Sequence, residues 1–190
     1  MTTSTRTRML IAGRDLFRER GYDGTGFREV VARAGAARGA IYHHFPGGKA
    51  ELATEIVAMT GTRITEIIER ECTALRPREA VGRLITVLEH IMFDDEARPG
   101  CPMAAVAMAA EDPDGRLRAS VSIEFQRWTN ALADCLRRHG VAPETASRFA
   151  TLSVASVEGA LLLSRASGDP TPLRTVGAAL QDHLDGILED

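Results

Sequence analysis

The chain has 190 residues, 44% of them hydrophobic and 26% charged, which is enough to bury a core without covalent staples and too apolar for extended disorder. The net charge of −3 hides a split. Residues 1–50 hold nine Lys+Arg against four Asp+Glu, and residues 51–190 hold fourteen against twenty-two, so only the head is charged to meet a polyanion.

Taken in chain order, the N-terminal segment MTTSTRTRMLIAG has no long apolar core and no cleavage pattern, so no secretion signal is expected. Met9, Ala12 and Leu16 then share a helical face with Leu10, Gly13 and Phe17 beside them, and Gly21 is the expected C-cap. A second helix, capped by Thr25, runs to about Ala34 and breaks at Gly35. A third, short helix covers about Ala37 to Phe45. Pro46-Gly47-Gly48 interrupts the pattern, and a long helix begins near Lys49 with Leu52, Ile56 and Met59 on one side. Pro77 opens the next, with Val81, Leu84, Ile85, Leu88, Ile91 and Met92 at helical spacing. Residues 94–100 read as a polar loop. The stretch Cys101 to Ala110 is small-residue rich and too short to cross a bilayer.

Asp112-Pro113-Asp114-Gly115 is a turn before a long helix bearing Leu117, Val121, Phe125, Trp128, Leu132 and Leu136, which Gly140 stops. Two last helices cover about Pro143 to Ser167 and Pro172 to Leu188. The expectation is an all-α chain of about nine helices, with a three-helix head over residues 1–48 and a helical body over 49–190. The three cysteines, Cys72, Cys101 and Cys135, are scattered and form no CxxC pair, so no disulfide scaffold, zinc knuckle or other metal site is expected. Adjacent His43 and His44 on a helix point apart and make no metal pair.

Residues 26–45, GFREVVARAGAARGAIYHHF, carry the most information. Two short helices separated by one glycine make a tight corner, and Gly35 can take the positive φ that the corner needs. Val30, Val31 and Ala34 can pack on Ile41, with Leu16 and Phe17 closing a small core. Such a unit presents its third helix to the major groove of double-stranded DNA. Arg38 can reach a phosphate or a guanine edge, Gly39 and Ala40 permit close backbone approach, and Tyr42 and His43 can donate to phosphate oxygens. Lys49, the chain's one lysine, stands where a helix N-terminus also favours phosphate. Arg28, Thr25 and Ala37 complete the expected DNA-facing set, and Phe45 is expected in the core.

The order Phe17, Gly21-Tyr22, Thr25, Ala34-Gly35, Gly39, Tyr42-His43-His44-Phe45, Lys49, Leu52 resembles the N-terminal domain of TetR-family transcriptional regulators over about the first 55 residues. The Pro-Gly-Gly-Lys turn, and Gly100-Cys101-Pro102 with its alanine-rich sequel, resemble the LmrA/YxaF-like branch. That resemblance implies an all-helical dimer with a DNA-binding head and a ligand-sensing body. Two positions depart from the family pattern. Ala37 stands where a capping Ser or Thr is common, a loss on the order of 1 kcal/mol, and Gly26 replaces a hydroxyl or β-branched residue.

In the body, residues 143–167 carry two apolar stripes: Phe149, Leu152, Ser156, Gly159 and Leu163; and Ala150, Val154, Val157 and Leu161. A helix apolar on two sides must be covered on two sides. Small residues at Ser156, Gly159 and Ala160 suit a close partner helix. With Leu173, Val176, Leu180, Leu184 and Ile187 of the last helix, they suggest a four-helix bundle across a two-fold axis of a homodimer.

The expected effector-lining residues are Met92, Phe93, Cys101, Met103, Val106, Phe125, Trp128, Val157 and Leu161, being soft, large or aromatic. Periodicity does not separate such a lining from ordinary core. The reading is a cytoplasmic, homodimeric repressor released from a palindromic operator by a small apolar or amphipathic effector, with no cofactor and no membrane partner. A DNA-binding regulator without a small ligand is the alternative. A helical enzyme lacks support, because no acid/base pair, nucleophile motif or phosphate loop stands in the sequence.

Overall fold

The computed structural model describes residues 4–37, 39–93 and 100–189. Among the described residues there are nine helices and no strand: α1 Thr5–Arg20, α2 Phe27–Arg33, α3 Ala40–His44, α4 Gly48–Ala74, α5 Pro77–Phe93, α6 Pro102–Ala107, α7 Arg116–Arg138, α8 Pro143–Ser167 and α9 Thr171–Glu189. The all-α expectation is met. The polar loop expected at 94–100 falls mostly outside the described residues, as does Arg38.

The helices form two compact units, which do not follow the division at 48/49. The first takes the residues up to Thr60 together with Cys101–Glu124; the second takes the described parts of Gly61–Gly100 and Phe125–Asp190. In the first unit Met9, Leu16, Phe17, Val30, Phe45, Leu52 and Ile56 are almost completely buried, and α6 packs on α1. Gly13 lets α1 approach α4 closely. A Cβ there would stand 2.7 Å from Ile56 Cδ1 and 3.2 Å from Leu52 Cδ2.

In the second unit α9 packs between α5 and α8. Its core joins Val81, Ala133, Leu136, Ala146, Phe149, Ala150, Leu180 and Leu184. Gly177 brings α9 onto α5, since a Cβ there would fall 2.8 Å from Ile85 Cγ1. The Trp128 indole N–H donates to the Gly61 carbonyl at 3.0 Å, which satisfies the one polar group of that buried ring.

By length and composition α8 holds an 18-residue window of mean hydropathy 1.2 that is long and apolar enough to cross a membrane. Only 33% of that window is buried within the chain. Its buried line, from Ala146 and Phe149 through Ser153 to Ala160, Leu161 and Ser164, marks one face of an amphipathic core helix.

Candidate nucleic-acid interface

The corner between α2 and α3 is built by local chemistry. Glu29 reaches back so that the Gly26 N–H donates to its Oε2 at 3.0 Å, which satisfies a donor that the start of α2 would leave unpaired. This corrects the expected role of Thr25. The cap residue is Gly26, while Thr25 is 2% exposed and its hydroxyl donates to the Gly21 carbonyl at 2.8 Å. Thr25 therefore ties the preceding turn together and does not face outward.

At its other end α2 closes with paired bonds, Gly35 N–H to Ala32 O at 3.1 Å and Ala36 N–H to Val31 O at 3.1 Å. That pattern requires a left-handed residue after the helix, and Gly35 supplies it with φ +60°. The Arg8 guanidinium donates to Ala34 O at 3.0 Å, pinning the same turn to α1. Val30, Val31 and Ala34 are buried as expected; the Ile41 side chain lies outside the described residues.

The third helix is shorter than its sequence pattern suggests. It begins at Ala40, so Ala37 and Gly39 belong to the approach and not to the helix. Both are exposed, and nothing lies within 4 Å of where a Gly39 Cβ would be. The backbone of Ala40 is helical, while its side chain is outside the described set. Tyr42 is 69% exposed and His43 is exposed. Phe45 is wholly buried, with the Arg6 guanidinium 5.1 Å from its ring centre. Arg28 is exposed on α2. Phe27 meets Tyr42 edge-on at 6.1 Å, a contact that sequence reading missed. An aromatic at the first position of α2 was the available signal.

Lys49 stands in the first turn of α4, as its sequence position suggests, and is half-buried. Its ammonium lies over the Tyr22 ring, 4.2 Å from the centroid, and burial pulls its pKa below the usual lysine range, partly offset by Asp23. The Tyr22 hydroxyl is pushed up by burial and by Asp23, Asp112 and Glu111. Beside it the Gly47 N–H donates to Glu51 Oε2 at 2.6 Å. The turn before α4 therefore carries its own carboxylate, and a phosphate approaching Lys49 must compete with both the ring and this group.

Several head arginines are engaged within the unit. Arg33 pairs with Glu19 at 2.5 Å, Arg20 with Glu29 at 2.8 Å, and Arg6 with Glu55. The basic balance of the head thus overstates the charge available to a polyanion. Among the described residues, exposed Arg28, Tyr42 and His43 supply the side-chain donors of the outward set, beside exposed Ala37 and Gly39.

Of the nine residues expected to line an effector site, Met103 and Val106 are fully buried and belong with half-buried Cys101 to the first unit. Met92, Trp128 and Leu161 are buried, and Phe93, Phe125 and Val157 half-buried, in the second. Phe125 meets Trp128 edge-on at 5.1 Å.

Of the expected dimer residues, Leu152 and Leu163 are 48% and 60% exposed. Gly159 is exposed, and Ser156, Val176 and Ile187 are half-buried. Ala160, Leu180 and Leu184 are corrected: they are 1%, 5% and 0% exposed, packed into the core of their own chain. Leu162, 68% exposed, joins the outward stripe in Ala160's stead.

Comparison with known proteins agrees with this architecture. Residues 10–56 match the family model of bacterial regulatory proteins of the tetR family. Residues 77–179 match that of the LmrA/YxaF-like transcriptional regulator C-terminal domain. An HTH-type transcriptional regulator of Mycobacterium tuberculosis is 34% identical over 184 residues, covering 94% of this chain and 93% of its own. The HTH-type transcriptional regulator LmrA of Bacillus subtilis is 30% identical over 183 residues, covering 95% and 96%. In fold, the chain is similar to the crystal structure of a TetR transcriptional regulator from Legionella pneumophila, with TM-score 0.87 at 20% identity over 96% of this chain and 98% of that one. The helical corner at Gly35, the outward Tyr42 and these matches over both halves lead to one assignment: the chain belongs to the TetR family of DNA-binding transcriptional regulators, in its LmrA/YxaF-like branch.

Proposed function

We propose that this regulator acts in the cytoplasm as a homodimeric repressor, holding a palindromic operator through two copies of the α2–α3 corner. A small apolar or amphipathic effector releases it. The observation that carries the DNA-facing assignment is the sorting of two aromatic residues, one on α3 and one just past its end. Tyr42 is 69% exposed while Phe45 is 0% exposed. A hydroxyl-bearing ring held out by a packed neighbour is suited to a phosphate or base edge. Arg28 and His43 add donors on the exposed side, and Arg38 and Lys49 are expected to join them.

Support for the homodimer comes from the exposed leucines of α8 and α9: Leu152, Leu162, Leu163 and Leu188. Burying each would contribute roughly 1.5–3 kcal/mol. Two heads joined this way would meet half-sites about one helical turn apart, roughly 34–36 Å.

Release by an effector requires a second global state that the ligand binds more tightly, with a coupling of about 1–3 kcal/mol. Met92, Phe93, Cys101, Met103, Val106, Phe125, Trp128, Val157 and Leu161 are the residues proposed to answer to it. The complete burial of Met103 and Val106 favours the second reading, a DNA-binding regulator that takes no small ligand. The test is fluorescence anisotropy with a duplex carrying the inverted repeat beside the gene. Tight, salt-sensitive binding that apolar compounds weaken supports the first reading. Binding unchanged across a broad compound set supports the second, and no preference for the repeat overturns both.

A further inference from the structure

Lys49 is the one lysine of the chain, and it is held differently from the paired arginines around it. Arg6, Arg20 and Arg33 each meet a carboxylate, of Glu55, Glu29 and Glu19 respectively, which offsets the charge. Among the described residues no carboxylate pairs with Lys49. Its ammonium rests instead on the Tyr22 ring, 4.2 Å from the centroid. A ring attracts a cation through its quadrupole and carries no net charge. The ammonium is therefore fixed without being neutralised. The ring faces it from one side, and an ammonium has three donors, so a ring competes with a phosphate far less than a carboxylate does.

The platform under Lys49 is held in place by the fold. Tyr22 follows Gly21, whose φ of +77° ends α1, and its ring packs against Phe17 at 5.4 Å, tilted by 59°. Phe17 is 0% and Tyr22 8% exposed. The Thr25 N–H closes the turn by donating to the Tyr22 carbonyl at 3.1 Å. Two carboxylates flank this pair, and each is tied to a backbone donor. Asp23, whose charge acts on Lys49, accepts at Oδ2 from the Ala110 N–H at 2.9 Å. Glu51 accepts at Oε2 from the Gly47 N–H. What remains is one charged donor in the first turn of α4, a short turn beyond the end of α3.

We propose that Tyr22 is a positioning residue for DNA binding: its ring holds the Lys49 ammonium by one side so that a duplex phosphate takes up the remaining donors. The inference rests on the DNA-binding reading above and adds to it a residue that itself touches no DNA. A loose lysine side chain loses rotamer freedom when it is immobilised against a phosphate. Over Tyr22 that freedom is already reduced in the free protein, so less is lost on binding. The ring should thus be worth about two- to tenfold in affinity, the range set by immobilising one long side chain. The effect passes through Lys49 alone, which separates it from a general packing role for Tyr22.

The experiment is a double-mutant cycle on the full chain, titrated with the inverted-repeat duplex over a salt series. Lys49→Ala should weaken binding and make the salt slope shallower by about one. Tyr22→Leu should weaken binding about two- to tenfold in the natural chain and have little further effect in Lys49→Ala. Tyr22→Phe, which keeps the ring face, should bind as the natural chain does. Equal losses from Tyr22→Leu in both backgrounds would overturn the proposal, and so would a loss in Tyr22→Phe as large as in Tyr22→Leu. A second measurement needs no substitution in case Tyr22→Leu does not fold. Isotope-labelled lysine gives one Cε–Hε NMR signal, because Lys49 is the one lysine. Ring-current shielding should move that signal upfield of its unfolded position, and the shift should persist when duplex is added. A signal at the unfolded position, or a shift lost on binding, overturns the proposal. If the natural chain prefers the repeat but Lys49→Ala changes neither affinity nor slope, this inference alone fails. If the natural chain shows no preference for the repeat, the DNA-binding reading fails with it.

Discussion

In the first unit Tyr42 on α3 turns outward and Phe45, just past the end of α3, turns inward, three residues apart. In the second, α8 turns Leu152 outward and Phe149 inward, also three residues apart. The device is the same, a buried ring setting the angle of an exposed neighbour on a helix. The chemistry of the exposed residue differs. Tyr42 offers a hydroxyl that water or a phosphate can bond, so its exposure costs little and suits a polar partner. Leu152 offers only methyl groups, and with Leu162 and Leu163 it makes an uncovered apolar stripe that is better satisfied by another apolar surface. Exposure alone thus says little about a partner until the exposed atoms are named.

The comparison breaks first at the anchoring rings. Phe45→Ala and Phe149→Ala should each cost about 3–5 kcal/mol of stability. Calorimetry should show Phe45→Ala also abolishing DNA binding, because α3 loses the ring that seats it. Binding that survives Phe45→Ala would mean that α3 does not act through its seat. The next largest effect is at the apolar stripe. Leu152→Glu with Leu163→Glu should shift sedimentation from dimer to monomer, since each buried leucine contributes roughly 1.5–3 kcal/mol. Leu180→Ala should instead lower the unfolding temperature of the chain itself, because Leu180 is 5% exposed in its own core. A smaller effect sharpens the head. Tyr42→Phe removes one hydroxyl and should weaken DNA binding by about 1 kcal/mol, roughly fivefold, with no change in unfolding temperature.

Smallest is the response to acid. Glu29 is held below the usual carboxylate range by the Gly26 N–H and by Arg20, and Asp169 by the Thr171 N–H and hydroxyl. The unfolded chain therefore takes up these protons more readily than the folded one. Their stabilisation is complete above the ordinary carboxylate values, near pH 4, and is lost as pH falls through the lower folded values. Unfolding temperature should decline below about pH 4, and a Glu29→Gln, Asp169→Asn chain should show a shallower decline.

Much of this was legible from local pattern. The bounds of α8 follow from Pro143 and Gly168, the corner follows from Gly35, and the basic head favoured Tyr42 as an outward residue while Phe45 was expected in the core. What escaped depends on tertiary register. The resting place of Lys49 over Tyr22 needs the turn after α1 beside the start of α4, and no spacing rule records that. The capping glutamate at Glu29 was readable in principle, three residues after Gly26, but the hydroxyl of Thr25 drew the assignment. On α8 both faces are apolar, so the period alone could not say that Ala160 turns inward while Leu162 turns out, and on α9 the period did not say that Leu180 and Leu184 pack within their own chain.

The most direct measurement is a salt series of duplex binding with the full-length protein, comparing the natural chain with Arg28→Ala, Tyr42→Ala. Affinity should fall steeply as salt rises, and the double variant should bind more weakly with a shallower slope, because it has lost phosphate contacts. A variant that binds with the same affinity and the same slope would contradict the assignment of this exposed corner as the DNA-contacting surface.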